Sequence, residues 1–471
     1  MGELHDLTLL EQAAAVRDRS VSPVDLVEHY LTRIEKLSDT VGAFVTVTAE
    51  SALDSARAAE RLIVDGAEGL PALYGVPTAI KDLNLVAGVP TRFGTSAWPA
   101  QDLGIDDAVT AKLKAAGLIC LGKTNTPEFG LPCYTEPDIA PPARTPWDLE
   151  RSAGGSSGGA AAAVAAGLVP AAQGSDGGGS IRIPSSVCGL FGIKPSRGRV
   201  SNAPVSAEIS GLAVNGPIAR TVRDAAALLD AMAGPAASDW QWAPPPEVSF
   251  RSACDAAPGR MNIGRFATPV IADAEVHPDC LAAYEAASNL LSSLGHHVVD
   301  YTPSFGAALV PAFETVWSAE FLSLPLSPAD EPKTRPLTQW IRERGRSATG
   351  QQVYAALATL RQAARTELAA SAQYDVILTP TLAQPPAPVG GLRNDADPAA
   401  DFEAQKRFTP FTAPYNMSGQ PAVTVPMYWT GAGLPIGIQL IGRPYGEATL
   451  LAVAAQLEAA APWSARRPEC W

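Results

Sequence analysis

The strongest constraint on the fold is the alternation of helix-length segments with short apolar runs. Residues 7–17 carry apolar positions at helical spacing, and Ser22-Pro23 supplies an N-cap followed by proline at the first position of a second helix. Residues 76–80 and 118–121 are instead short, apolar and partly β-branched, which favours buried strands. Helices that alternate with such strands predict an α/β fold built in layers.

The second half of the chain continues this alternation. Four further segments are predicted as strands: residues 295–300, 374–380, 421–426 and 435–441. Residues 447–459 form an amphipathic helical pattern. Residues 233–247 are rich in Pro, Ala and Trp, which is typical of a connector between structural segments.

Charge and cysteine usage exclude several functional classes. The formal net charge is −13 and no Lys or Arg run stands out, so we expect no nucleic-acid partner. The six cysteines are dispersed without a C-x-x-C pair, so we expect neither a disulfide framework nor a metal site. The N-terminus lacks a signal-peptide pattern, and residues 160–172 are too short to span a membrane. We therefore expect a soluble cytoplasmic protein.

Two glycine-serine clusters, residues 154–159 and 174–180, carry the clearest chemical signal. Such clusters are often flexible linkers. Here the first runs straight into residues 160–166, a strong helix-forming segment, and the second is followed by the apolar segment 181–184. Linkers are rarely flanked so tightly by core-like sequence, which favours two loops of an active site.

The second cluster has the composition of an oxyanion hole that ends in a nucleophile. Glycine allows the backbone to approach a ligand closely, and consecutive N–H groups can then converge on one oxygen atom. We therefore predict Ser180 as the nucleophile. The amides of Gly177, Gly178 and Gly179, together with that of Ser180, are the predicted oxyanion donors.

A serine nucleophile needs a base, and the sequence leaves two alternatives open. The five histidines lie far from both clusters in sequence, and no G-x-S-x-G elbow is present, but a Ser-His-Asp triad is not excluded. Lys81 is the other candidate, because it directly follows the apolar segment 76–80 and burial would keep it uncharged. On sequence context alone, an exposed lysine at a strand end is the simpler interpretation.

Residues 154–184 resemble the signature of the amidase-signature family over their whole length. Four other segments agree with this resemblance: residues 75–82, 122–129, 189–199 and 414–422. The resemblance implies one amidase-signature domain over residues 1–471, with a central mixed β-sheet covered by helices on both faces. It further implies a catalytic core of residues 1–232 and 408–471. The poorly matching residues 237–407 would form a variable substrate-side segment.

The resemblance also implies a catalytic set and a mechanism. Lys81 would be the base, Ser156 the bridging serine and Ser180 the nucleophile, with a cis peptide bond between Gly155 and Ser156. Ser180 would form an acyl-enzyme that water hydrolyses, and no metal or organic cofactor is required. Asp176 and Arg182 are expected to hold the nucleophile loop, whereas neither is expected to act directly in catalysis.

The expected substrate is a small molecule with an amide-type C–N bond. The chain resembles nylon-oligomer cyclic-dimer hydrolases and bacterial amidases that cleave aryl amides, alkyl amides and carbamates or urethanes. Leu131, Cys133 and Tyr134 stand where relatives contact the substrate, which favours a hydrophobic amide, anilide or carbamate. We expect a monomer or homodimer.

Two alternatives to this function stay open. One is an amidotransferase A-type subunit that releases ammonia from glutamine for a partner protein, although Ile183 stands where such subunits typically have Gln. The other is a non-catalytic protein that binds an anion at the glycine loop.

The variable segment contains large aromatic side chains that either line a lid or fill a core. These are Trp317, Phe321, Trp340 and Tyr354. Core packing is the favoured interpretation for each of them.

Overall fold

A mixed sheet of eleven strands forms the centre of this computed structural model, which describes residues 3–204, 206 and 209–471. Its strands are β1 Phe44–Val47, β2 Pro77–Lys81, β3 Ile119–Thr124, β4 Ala171–Asp176, β5 Phe191–Lys194, β6 Val214–Ala219, β7 Asn262–Arg265, β8 His297–Asp300, β9 Val376–Pro380, β10 Ala422–Trp429 and β11 Pro435–Gly442. Their order is β1-β3-β2-β4-β6-β5-β10-β11-β9-β7-β8. β2 is parallel to both of its neighbours, β3 and β4, whereas the strands from β4 through β9 in this order pair antiparallel.

Helices occupy most of the connections between these strands. Within the described residues they are α1 Leu9–Arg17, α2 Pro23–Val41, α3 Ala49–Val64, α4 Ala108–Ala115, α5 Gly158–Ala165, α6 Arg182–Cys188, α7 Val222–Met232, α8 Phe250–Ala253, α9 Pro278–Ser293, α10 Leu309–Leu322, α11 Pro336–Arg346, α12 Gly350–Ala370, α13 Pro398–Phe408, α14 Pro414–Ser418 and α15 Glu447–Ala460. Among the described residues, no helix combines the length and the apolar character needed to cross a membrane.

The helices cover both faces of the sheet. Successive residues of a strand point to opposite faces, and two buried apolar clusters divide the strand residues accordingly. Ala171 and Ala219 belong to the cluster that includes α7, α9 and α15. Their neighbours Ala172 and Ile218 belong to the cluster that includes α2 and α5. This division confirms the predicted α/β fold, in which a mixed sheet lies between two helical layers.

The predicted apolar strands and helices are confirmed, and the structure adds strands and helices that were not predicted. The strand predicted at residues 76–80 is β2, and the helix predicted at 447–459 is α15. β4 was not predicted, because its sequence Ala-Ala-Gln-Gly-Ser-Asp lacks the β-branched residues that indicate strands. The first glycine-serine cluster runs into the start of α5 and the second begins within β4, so both are structured.

Residues 237–407 contribute to the sheet as well as to its surroundings. β7, β8 and β9 lie in this segment and extend the sheet beyond β11. Helix α10 of the same segment packs against both α11 and α12. The division of the chain into a catalytic core and a substrate-side segment stays a prediction, but part of that segment is structural.

The start of α5 is packed directly against backbone, which predicts a large effect of a small substitution. A Cβ atom on Gly159 would lie 2.3 Å from Asn125 N and 2.6 Å from Ala43 O. Because backbone cannot move aside as a side chain can, we expect Gly159→Ala to lower the free energy of unfolding by about 1–3 kcal/mol. Urea unfolding followed by circular dichroism measures this change.

Gly350→Ala is the matched control, since a Cβ atom there meets open space at the first position of α12. We expect its free energy of unfolding to stay within about 0.5 kcal/mol of the wild type. Equal midpoints for the two variants would contradict the packing argument.

Candidate active site

Lys81 lies at the carboxyl end of β2 with its side chain fully buried. Its Nζ atom is hydrogen-bonded to Ser156 Oγ at 2.8 Å and to Ser175 Oγ at 3.0 Å. Burial lowers the pKa of Lys81 to about 7, against the opposing effect of the Asp176 carboxylate. The interpretation of Lys81 as an exposed lysine is therefore wrong, because the strand end that carries it is covered by the two serine loops.

Ser156 faces Lys81 from a tightly packed loop before α5. The peptide bond between Gly155 and Ser156 is cis, as the family resemblance implied. A Cβ atom on Gly155 would lie 2.8 Å from backbone atoms of Tyr134, so the loop requires glycine there. A Cβ atom on Gly130 would lie 3.3 Å from Ser156 Oγ, which means that the backbone of residue 130 borders the Ser156 hydroxyl.

Ser175, the second partner of Lys81, was not predicted from the sequence. The parallel pairing of β2 and β4 aligns Ala79 with Ala172, so the carboxyl ends of both strands meet at the same edge of the sheet. Ser157 fixes Ser175 there, since its Oγ accepts a hydrogen bond from Ser175 N and donates one to Ser175 O. Assigning residues 171–176 as a strand would have indicated this contact.

Ser180 lies between β4 and α6, in the loop formed by the second glycine-serine cluster. Its carbonyl oxygen accepts a hydrogen bond from Ser157 N at 3.1 Å, so the backbones of the two clusters are joined. Its side chain is partly exposed. No side chain of the described residues hydrogen-bonds to the Ser180 hydroxyl.

The amides of the nucleophile loop fall into two groups. Gly179 N donates to Asp176 Oδ1 at 2.8 Å, so it is already engaged within the loop. The N–H groups of Gly177, Gly178 and Ser180 have no acceptor within the described part of the chain. Of the four predicted oxyanion donors, these three amides stay candidates, whereas the Gly179 amide is already engaged by Asp176.

A buried ion pair holds this loop in position. Arg182 Nη2 and Nε donate to Asp176 Oδ1 and Oδ2, each at 2.9 Å, and both side chains are fully buried. Burial opposes ionisation of Asp176, but the charge and hydrogen bonds of Arg182 outweigh it and hold the pKa of that carboxyl well below its usual range. The expected loop-holding contacts of Asp176 and Arg182 are present in the structure.

Further hydrogen bonds from the guanidinium reach the C-terminal part of the chain. The acceptors of Arg182 there are Thr412 O, Asn416 Oδ1 and Gln439 Oε1. The family resemblance covered residues 414–422, but sequence reasoning assigned none of these three residues to the site. They bind the nucleophile loop to α14 and β11, so residues distant in sequence support the same loop.

Leu131, Cys133 and Tyr134, the predicted substrate contacts, are buried in the segment that borders Ser156. Tyr134 OH donates to Asp401 Oδ2 at 2.6 Å, and Cys133 N donates to Gln405 Oε1 at 2.9 Å. These bonds tie the segment to α13. Leu131 belongs instead to an apolar cluster that contains several aromatic side chains. Contact with substrate stays a prediction for all three.

The aromatic side chains of the variable segment have different environments. Phe321 is buried, and Trp340 packs against Phe402 with ring centroids 5.7 Å apart. Trp317 is partly exposed and lies over Gly177 of the nucleophile loop. Tyr354 is 77% exposed, so the core-packing interpretation is wrong for this residue.

One group of side chains has the composition of a metal site, and it does not involve Lys81, Ser156 or Ser180. Within the described residues, potential ligand atoms of Glu3, His5 and His29 lie within 4.8 Å of one another. His5 Nδ1 and His29 Nε2 are hydrogen-bonded to each other at 3.0 Å. Burial and the charge of Arg33 lower the pKa of His5 to about 4. The same positive charge opposes a bound cation, so we assign no metal here.

Comparisons with known proteins agree with this geometry. The model of the family described as Amidase matches residues 25–451. The chain is 41% identical to a protein of Mycobacterium tuberculosis named as an amidase, AmiB2, over 97% of this chain and 96% of that protein. It is 35% identical to an acylamidase of Rhodococcus erythropolis, over 99% of this chain and 98% of that protein.

A solved structure extends the likeness to the whole fold. The structure of 6-aminohexanoate cyclic dimer hydrolase superposes with a TM-score of 0.91 at 31% sequence identity, and the match covers 100% of both chains. The chain therefore belongs to the amidase-signature family. It is an amidase, a hydrolase that acts on amides.

The buried ion pair generates a stability prediction. We expect Arg182→Leu to lower the free energy of unfolding by about 3–5 kcal/mol, because it leaves the Asp176 carboxylate buried without its partner. Denaturant unfolding at neutral pH measures the loss. Arg57→Leu is the control, since Arg57 and Asp54 form an exposed pair in α3 and its loss should change stability by less than about 1 kcal/mol. A comparable loss in both variants would contradict a special role for the buried pair.

Proposed function

We propose that this amidase cleaves hydrophobic small-molecule amides, anilides or carbamates through an acyl-enzyme on Ser180. In this proposal neutral Lys81 is the base and Ser156 relays the proton. The observation that carries the proposal is the hydrogen bond between the fully buried Lys81 amine and Ser156 Oγ. A buried amine whose pKa is lowered to about 7 is uncharged in a large fraction of molecules at neutral pH.

In this proposal, acylation is a balanced transfer of protons. Ser156 gives its hydroxyl proton to the lone pair of Lys81 Nζ and receives the hydroxyl proton of Ser180. Ser180 Oγ then bonds to the carbonyl carbon, and the π electrons of the carbonyl move onto its oxygen. The unpaired amides of Gly177 and Gly178, with that of Ser180, stabilise the resulting oxyanion.

Collapse of this intermediate reverses the proton transfer. The carbonyl re-forms, the C–N bond breaks, and the nitrogen takes its electron pair together with a proton from Ser156, which Lys81 replaces. The released amine leaves Ser180 esterified. Water gives a proton to the same relay as it attacks the ester carbonyl. The C–O bond to Ser180 then breaks, the relay returns the proton to Ser180 Oγ, and the acid is released.

Ser175 completes the proposed role of the lysine. A neutral amine has two N–H groups and one lone pair, so it accepts from Ser156 while it donates to Ser175 Oγ at 3.0 Å. Ser175 thereby orients the lone pair of Lys81 toward Ser156. We propose Ser175 as a positioning residue that the sequence pattern did not identify.

The proposed substrate class is supported by relatives and by the surroundings of the site. The acylamidase relative is named for the cleavage of acyl amides, and the similar solved structure is that of a hydrolase of a cyclic dimer. Apolar side chains, among them Phe129 and Leu131, lie next to residue 130, which borders Ser156. The amidotransferase alternative has no specific observation in its favour.

The first test removes the proposed catalytic groups one at a time. We expect Ser180→Ala, Ser156→Ala and Lys81→Met each to lower kcat on p-nitroanilide and aryl carbamate substrates by at least about 10³-fold. Ser55→Ala is the control, since Ser55 is an exposed residue of α3, and this variant should keep wild-type activity. Wild-type turnover by Ser180→Ala, or activity that depends strictly on glutamine and a partner protein, would contradict the proposal.

The second test is the pH dependence of acylation. Lys81 must lose its proton to act, and its lowered pKa of about 7 means that the competent fraction rises with pH through about 7 and then levels off. We expect kcat/KM to fall nearly tenfold per pH unit below this value. Rates measured between about pH 5.5 and 9, together with the rate of fluorophosphonate inactivation, should share the same inflection. A flat profile in both measurements would exclude Lys81 as the base.

A further inference from the structure

Helix α10 lies over the nucleophile loop and closes one end of it with an aromatic ring. A Cβ atom on Gly177 would lie 3.6 Å from both Cη2 and Cζ3 of Trp317. A Cβ atom on the next residue, Gly178, would meet no atom within 4 Å. The position beside Gly178 is therefore open, whereas the ring of Trp317 lies at contact distance from the position beside Gly177.

Neighbouring aromatic side chains hold this ring in place. Trp317 stacks on Phe313 with centroids 5.3 Å apart and an interplanar angle of 21°. It contacts Phe321 in an edge-to-face arrangement with centroids 4.9 Å apart. The three residues follow at spacings of four along α10, so they lie on one side of the helix. A ring fixed by two such contacts forms a rigid wall.

The proposed mechanism gives each part of the substrate its own direction at the site. The leaving nitrogen receives its proton from Ser156, so the amine part of the substrate lies on the side of Ser156 and Gly130. The oxyanion points at the loop amides, and the attacking oxygen belongs to Ser180. The acyl substituent takes the remaining direction around the tetrahedral carbon.

We propose that Trp317 determines acyl-group selectivity by limiting the length of the acyl chain beside Gly178. This inference rests on the proposed function and deepens it. The preferred substrates are then amides of short, apolar carboxylic acids, while the amine part is selected elsewhere. The edge of the ring that faces Gly177, formed by Cη2 and Cζ3, offers no hydrogen bond or charge to a polar acyl group, so polar acids are disfavoured there.

The experiment compares two substrate series on the full-length enzyme. One series keeps p-nitroaniline as the leaving group and extends the acyl chain from acetyl to octanoyl. The other keeps an acetyl group and varies the amine. We expect Trp317→Ala to raise the octanoyl-to-acetyl ratio of kcat/KM by at least about tenfold, because one methylene in an apolar pocket already changes specificity measurably. Relative rates in the amine series should change less than about threefold.

Trp340→Ala is the matched control for a loosened helical layer. Trp340 lies on α11 and packs against Phe402 and the same apolar cluster as Trp317. Its replacement removes an equally large ring, and we expect the acyl ratio to stay at the wild-type value. An equal increase in the acyl ratio for both variants would overturn the inference.

Gly177→Ala tests the same wall from the opposite side. Its methyl group would lie at an ordinary contact distance from the ring, so the loop accommodates it while the space narrows. We expect the octanoyl-to-acetyl ratio to fall, and this variant decides the question if Trp317→Ala does not fold. An unchanged acyl ratio in the folded variants, or an amine series shifted as strongly as the acyl series, overturns the inference. Failure of the proposed function would look different, since neither series would then be cleaved in a Ser180-dependent manner.

Discussion

Burial of the Lys81 amine is the constraint on which the rest of the site depends. An ammonium group loses its hydration at the end of β2, and the pKa of Lys81 falls to about 7 as a result. The hydroxyl groups of Ser156 and Ser175 are the two side chains hydrogen-bonded to the amine, and neither carries a charge that would retain the proton. The surrounding sheet and loops thus lower the pKa of a side chain that is ordinarily a cation, as the proposed role of Lys81 as the base requires.

One strand further along the sheet, a buried side chain keeps its charge instead of losing it. Asp176, at the end of β4, stays ionised because Arg182 donates two hydrogen bonds to its carboxylate. The same carboxylate accepts the amides of Gly179, Ile181 and Arg182, and it thereby shapes the turn from β4 into α6. A paired charge therefore organises the loop, while the Lys81 amine beside it has the lowered pKa that the proposed proton transfer requires.

The sequence alone predicted those elements and candidate residues that can be inferred from local pattern or from family resemblance. The glycine run before Ser180 indicated a loop, and six of the strands were predicted from their apolar, β-branched composition. It could not decide between a buried and an exposed Lys81, because burial depends on segments about 75 and 94 residues away. It also did not identify Ser175, whose position follows from the parallel pairing of β2 and β4. Nor could it identify Gly179 as the amide engaged by Asp176.

The sequence by itself determined the alternating helices and strands, the glycine loops and the residue types available for chemistry. These follow from periodicity, backbone freedom and side-chain composition, which are local properties. Only the tertiary structure decided which serines meet the lysine, which loop amides stay unpaired and which aromatic ring bounds the loop at Gly177. Those contacts join β2, β4, α6 and α10, and distances between elements so far apart in the chain are fixed by packing.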